Sequence, residues 1–267
     1  LARAPYYRWL RELIGHAEKL RVERIAALLD AHADDPEFGY RLLADEARQA
    51  GSAMTDRTAW RLCNQSGVMS AIVKTRKRRG KKPGPPVCDD LVNRHLTAER
   101  PNQLWLVDIT EHRTREGKLY LCAVKDVFWR RIVGYSISDR IRARIVVDAV
   151  NNAVSRRGDV TGCVVHADRG SQFRSKAFRD TLTRHGLILS MGRVASAADN
   201  DAIESFHSLL QGNVLNRRTW NTREQLRQAI VTWIETKYHR RRRQDRLGCL
   251  TPIEYEAKMT TETGHAA

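Results

Sequence analysis

The chain has 267 residues, and 47 Lys and Arg against 31 Asp and Glu give a formal charge of +16 and a pI near 10.1. Such a charge favours a polyanionic partner, nucleic acid first, through counterion release. The 42% apolar content suffices for a packed core in a chain longer than one usual domain. No apolar run approaches the roughly 18 residues of a membrane span, and the N-terminus lacks a signal-peptide layout, so the protein is expected in the cytoplasm and not at a membrane.

From the N-terminus, Tyr6 to Leu29 carries Leu10, Leu13, Ile14, Leu20, Ile25, Leu28 and Leu29 near a helical period, with a break expected at Gly15. A helix-turn-helix pattern follows: Pro36 to Ala50 as the first helix, Gly51 to Met54 as the turn, and Thr55 to Asn64 as the second helix, with Thr55 as its N-cap. Arg57 and Arg61 fall four apart on one face of that helix and suit phosphate. Positions 74 to 82 hold seven cations in nine residues, Lys77, Arg78 and Arg79 among them, and Pro83-Gly84-Pro85-Pro86 comes next. Self-repulsion and proline make that stretch a linker, and its charge makes it an arm for DNA.

From Arg100 the texture changes. Leu104 to Ile109, Lys118 to Val124 and Arg131 to Ser138 read as three strands, Ile145 to Ser155 as a helix, and Gly162 to His166 as a fourth strand. Ser175 to His185 reads as a helix closed by Gly186, Leu187 to Met191 as a short fifth strand, and Asp199 to Leu210 as a helix capped by Asp199 or Asn200. A last helix spans about Thr222 to His239, and Arg240, Arg241, Arg242 and Arg243 follow it. Trp220 and Trp233 read as packing residues.

Three acids stand out in this region. Asp108 and Asp168 each follow an apolar run, the place where ligands collect at strand ends, and Glu204 lies on the helix that comes after. Two strand-end acids and a third on a helix are the oxygen donors of a divalent-metal site for phosphodiester chemistry. Asp126, Asp139 and Asp148 read as structural or surface groups, and His166 as a satisfied strand-end histidine. The five cysteines include no Cys-x-x-Cys pair, so neither a disulfide framework nor structural zinc is indicated.

Between Asp168 and Glu204 stand 35 residues. With Arg100-Pro101-Asn102-Gln103-Leu104-Trp105, Arg131-Ile132-Val133-Gly134-Tyr135, Asp168-Arg169-Gly170-Ser171-Gln172-Phe173, Asp199-Asn200-Asp201-Ala202-Ile203-Glu204-Ser205-Phe206 and Leu250-Thr251-Pro252-Ile253-Glu254-Tyr255, this spacing resembles the retroviral integrase superfamily. More narrowly, the chain resembles the transposase encoded by the second reading frame of two-frame bacterial insertion sequences, from about Arg100 to Tyr255.

The resemblance implies an α/β, ribonuclease-H-like fold: a mixed five-stranded sheet with flanking helices, preceded by a small all-α helix-turn-helix region. It divides the chain into a helical region at 1–73, a basic Pro/Gly linker at 74–99, a catalytic core at 100–215 and a basic helical extension at 216–260. It implies that Asp108, Asp168 and Glu204 are both catalytic and metal-binding, holding two Mg²⁺ ions, with Mn²⁺ as substitute. The enzyme would nick the ends of an insertion sequence and transfer the 3′ hydroxyls into DNA. Its partners would be double-stranded DNA, both terminal inverted repeats and target, and further copies of itself; the cell compartment would be the nucleoid.

Further DNA contacts are expected from Arg169, Gln172 and Lys176 in the loop and helix start after Asp168, from Arg193 before Glu204, and from the four consecutive arginines. Where family members commonly carry a lysine two turns beyond Glu204, this chain has Gln211-Gly212. It begins without Met, at Leu1-Ala2-Arg3, which suits a frameshift product with an upstream-frame helix-turn-helix protein as partner. Two other functions stay open from the residues alone: a ribonuclease-H-like nuclease without strand transfer, and an inactive DNA-binding relic.

Overall fold

Leu28, Leu43, Ala47, Ala59 and Leu62 meet in one small core in the structure, a computed structural model. It describes residues 14–70, 85–93, 95–192 and 201–264, which fall into two units, Leu1–Lys74 and Thr75–Ala267. In the first unit, helices α1 (His16–Asp34), α2 (Tyr40–Gln49) and α3 (Asp56–Gln65) turn their apolar stripes inward around Phe38. Gly15 is the N-cap of α1, and the expected helix before residue 14 lies outside the described residues. Between α2 and α3 the chain reverses at Gly51, whose φ of +93° suits glycine. Thr55 Oγ1 accepts the Thr58 N–H at 3.2 Å and caps α3.

In the second unit, β1 (Leu104–Thr114), β2 (Gly117–Asp126), β3 (Ile132–Ser138), β4 (Val164–Ala167) and β5 (Ile188–Met191) form one sheet in the order β3-β2-β1-β4-β5. The first three strands are antiparallel neighbours, and β4 and β5 run parallel to β1. This is the mixed five-stranded sheet of the ribonuclease-H-like fold. β1 runs on beyond Ile109 to Thr114, because its polar end pairs with β2 across a tight turn at Arg115-Glu116.

Strand alternation sorts the side chains into two layers. Trp105, Val107, Cys122 and Val124 pack beneath α4 (Ala143–Arg157) and α5 (Lys176–Arg184). Leu104, Leu106, Leu119, Leu121 and Ala123 face the other way, under α6 (Asp201–Leu210) and α7 (Arg223–Thr232). Both faces are covered, which is why the strands read as nearly unbroken apolar runs.

Helix α7 continues into a π-helical turn, Trp233–Tyr238, that carries Trp233 and Tyr238 into the second layer; Trp220 is buried there too. His239 is fully buried: Nε2 accepts the Ile132 N–H at 3.2 Å, so Nδ1 bears the proton and donates to Glu235. Helix α8 (Pro252–Gly264) is clamped by Glu256, which bonds Arg131 and Arg157 together. Among the described residues, no helix is long and apolar enough to cross a membrane.

Candidate active site

The parallel pairing of β1 and β4 sets Leu104 opposite Val164 and Val107 opposite Ala167. One step further along each strand come Asp108 and Asp168, so the register brings the two acids to neighbouring carboxyl ends. Ligands gather at such strand ends in open α/β sheets. Asp108 Oδ1 accepts its neighbour Ile109 N–H at 2.8 Å, and Asp168 Oδ1 accepts Gly170 N–H at 2.8 Å.

Asp168 is exposed as a residue, yet enough protein surrounds its carboxyl for desolvation to raise its pKa. The Gly170 N–H opposes that rise, and the negative charge of Asp108 adds to it. The same Asp108 charge acts on Cys122, whose thiol is pushed up mainly by burial.

Helix α6 lies over the end of β1. Ile203, Phe206 and Leu210 fix it to the sheet layer, and His207 Nδ1 stands 3.2 Å from Asp108 Oδ2. Glu204, one turn before His207, is exposed on that helix. Among the described residues, no three His, Cys, Asp or Glu side chains are gathered closely enough to hold a metal ion. The structure sets Asp108 beside Asp168 and carries Glu204 on the helix whose His207 meets Asp108.

Two neighbouring groups complete the setting. His112 bonds Thr110 at 3.2 Å, and its pKa falls to about 4 through desolvation and then the proximity of His207, with Glu111 pulling the other way. His166 is buried and bonds Ser190 at 3.0 Å, serving the packing of β4 on β5. His207 escapes a sequence reading that weighs acids first. Its spacing of three from Glu204 was the available signal.

The expected DNA contacts differ in availability. Arg57 and Arg61 are exposed on α3, and Lys176 is exposed at the start of α5, whose N-cap Ser175 accepts Phe178 N–H at 3.2 Å. Gln172 and Arg169 are half-buried, and Arg169 Nε donates to the Gly192 carbonyl at 2.7 Å. Arg240 and Arg241 are exposed, while Arg242 and Arg243 are half-buried, Arg243 reaching the Cys249 carbonyl at 3.3 Å. Lys77, Arg78, Arg79 and Arg193 lie outside the described residues, as do the expected caps Asp199 and Asn200.

A family model described as Integrase core domain matches residues 98–197, and a second of the same description matches 185–252. Transposase InsF for insertion sequence IS3A of Escherichia coli (strain K12) is 32% identical over 262 residues, covering 97% of this chain and 91% of that protein. The chain belongs to the insertion-sequence transposases with an integrase core. The transposase for insertion sequence element IS629 of Shigella sonnei is 34% identical over 209 residues, covering 76% and 70% of the two chains. Among solved structures, the HTLV-2 integrase catalytic core domain in complex with magnesium is similar, with a TM-score of 0.45, 17% identity, and coverage of 59% of this chain and 98% of that one. Membership in the transposase family assigns the chain to DNA transposition. The first matched segment contains Asp108 and Asp168, and the second contains Glu204 and His207.

Proposed function

We propose that Asp108, Asp168 and Glu204 are the acids with which this transposase nicks the ends of its element and joins the freed 3′ hydroxyls to DNA. The observation that supports this reading most is the register of β1 on β4, which sets two acids side by side at one sheet end. Helix α6, anchored by Ile203, Phe206 and Leu210, carries Glu204 one turn before His207, whose contact with Asp108 supports reading Glu204 as the third acid.

The donor set fits Mg²⁺, with Mn²⁺ as substitute: all three side chains offer hard carboxylate oxygens. The raised pKa of Asp168 expresses desolvation and the repulsion of Asp108, and a cation between the two would reverse that repulsion. Asp108, Asp168 and Glu204 would hold such ions, two in number, which would supply Lewis acidity to an attacking water or hydroxyl and to the departing oxygen. The protein's own part is orientation. His207 and the Ile109 N–H aim Asp108, the Gly170 N–H aims Asp168, and α6 carries Glu204.

Double-stranded DNA, as element end and as target, suits the +16 charge. Arg57 and Arg61 in the first unit and Lys176, Arg240 and Arg241 in the second offer exposed cations for its phosphates, and the half-buried Gln172 offers a polar contact. We assign the joining of two element ends to more than one copy of the chain.

The test is an assay of the whole chain with Mg²⁺, duplexes bearing the element ends, and pre-cleaved ends with target DNA. Nicking and joining are expected, and both should vanish in Asp108→Asn, Asp168→Asn and Glu204→Gln while DNA binding persists. Nicking without joining would leave a nuclease, and binding without either reaction would leave a DNA-binding relic.

A further inference from the structure

We propose that Lys125 is a positioning residue for the Glu204 helix, its buried Nζ holding the Ala202 carbonyl and so fixing the height and rotation of α6 above the sheet. This rests on Glu204 being an active-site acid. Alternation along β2 turns Leu119, Leu121, Ala123 and Lys125 to the face that α6 and α7 cover. The first three belong there by their chemistry. Lys125 does not, yet it is 1% exposed.

Burial lowers the pKa of Lys125 well below the usual lysine range, and Arg130, Arg242 and Arg246 lower it further. No carboxylate among the described residues pairs with it. Its hydrogen bond runs from Nζ to the Ala202 carbonyl at 2.7 Å, with the Tyr238 ring centre 5.9 Å away. Ala202 lies in the first turn of α6, two residues before Glu204, where the helix dipole also disfavours a cation. A well-packed apolar side chain would be at least as stable in this place.

A buried amine that breaks the apolar pattern beside a site is the kind of local exception that functional sites carry. Ile203, Phe206 and Leu210 hold α6 by non-directional contact, and the polar tie from His207 to Asp108 lies one turn beyond Glu204, which leaves the first turn free to slide or roll by fractions of an ångström. A hydrogen bond from a strand to the first turn removes that freedom just where Glu204 leaves the helix. Ser205 Oγ donates to the same carbonyl at 2.9 Å, but from within the helix, so it fixes nothing relative to the sheet.

The experiment uses the full chain carrying Lys125→Met, with Lys125→Leu as a second variant should the first fold poorly. The expected result is a melting temperature equal to or above that of the unaltered protein and unchanged DNA affinity. Hydrogen exchange should be faster in α6, with β2, β3 and α4 as protected as before. Nicking turnover should fall by up to about a hundredfold, the cost of a misplaced catalytic group, with little change in KM. Exchange in α6 and turnover both equal to the unaltered protein would overturn the proposal, as would a uniform loss of protection across the whole unit. If the unaltered protein fails to nick at all, the active-site reading fails instead, and α6 exchange still decides whether Lys125 holds the helix.

Discussion

His207 Nδ1 and Asp108 Oδ2 lie 3.2 Å apart and join helix α6 to the end of β1. With Oδ1 taken by the Ile109 N–H, both oxygens of Asp108 have a partner, whereas the buried His207 Nε2 has no hydrogen-bond partner among the described residues. The ring is thus set by Asp108, and Asp108 by the ring. His207→Phe keeps the ring beside Phe206 and deletes the donor. Single-turnover nicking should fall by roughly 10- to 100-fold, as when a partner of a ligating group is lost, with DNA affinity unchanged in a gel shift. His207→Asn, which can still donate to Oδ2, should recover part of the rate. A Phe variant as fast as the parent would show that Asp108 holds its place unaided.

Gly170 makes a second local prediction. Its N–H bonds Asp168 Oδ1, and a Cβ at this position would stand 2.8 Å from that same oxygen and 3.4 Å from Gln172 Oε1. Gly170→Ala must therefore turn the Asp168 carboxylate away. Nicking is expected to drop by about tenfold or more, while the melting temperature moves by only a few degrees, since the loop lies at the surface. A large fall in melting temperature without a rate defect in the folded fraction would contradict this role.

How far the sequence reaches depends on the range of the forces involved. Asp108 and Asp168 are legible because each ends an apolar run, a local pattern that places them at strand ends. The five strands and α6 follow from periodicity and turn residues, Gly186 with its φ of +64° among them. The polar end of β1, Thr110 to Thr114, hides its strand character, since it is fixed by pairing with β2. The contacts of His207 with Asp108 and of Lys125 with Ala202 are equally hidden. They arise when α6 settles on the sheet, between residues far apart in the chain. The π-helical turns Gln211–Leu215 and Trp233–Tyr238 carry no signal in the apolar period either.

Gly134 tests the packing of β3 on α4. A Cβ there would lie 2.5 Å from Ala153 N and collide with the Ala149 carbonyl, both main-chain atoms of a helix that cannot give way. Gly134→Ala should destabilise the second unit by about 1–3 kcal/mol or more. In a unit of this size that lowers the melting temperature by about 2–4 °C for each kcal/mol. A melting curve that superimposes on the parent's would refute the close approach.

Arg57 and Arg61 are exposed on α3, four residues apart on one face of the helix. If both meet phosphate, Arg57→Ala and Arg61→Ala should each weaken binding of all duplexes alike. Each should also reduce the slope of log affinity against log salt by about 1. Unchanged slopes would assign DNA binding to other cations.

The pH dependence of stability follows from the buried group around Glu235. Its carboxyl is held at about 2, first by the His239 hydrogen bond, against desolvation, with the Tyr135 hydroxyl and Arg156 adding to the effect. Coming from an ordinary 4.5, it lends stability that is complete above that value and lost as pH falls toward about 2. His239 is shifted below its ordinary 6.5, chiefly by burial, although Glu235 pulls it up. A histidine kept neutral by folding lends stability that is complete above 6.5 and lost as pH falls below it. The unfolded chain binds more protons in both cases, so the two losses add and stability rises with pH. Urea midpoints should therefore fall steadily from about pH 7 to about pH 3, and Glu235→Gln should flatten the part of the curve below 4.5 while lowering the midpoint at neutral pH. A parent midpoint that stays constant over this span, or a Gln variant with the parent's acid slope, would remove Glu235 from the account.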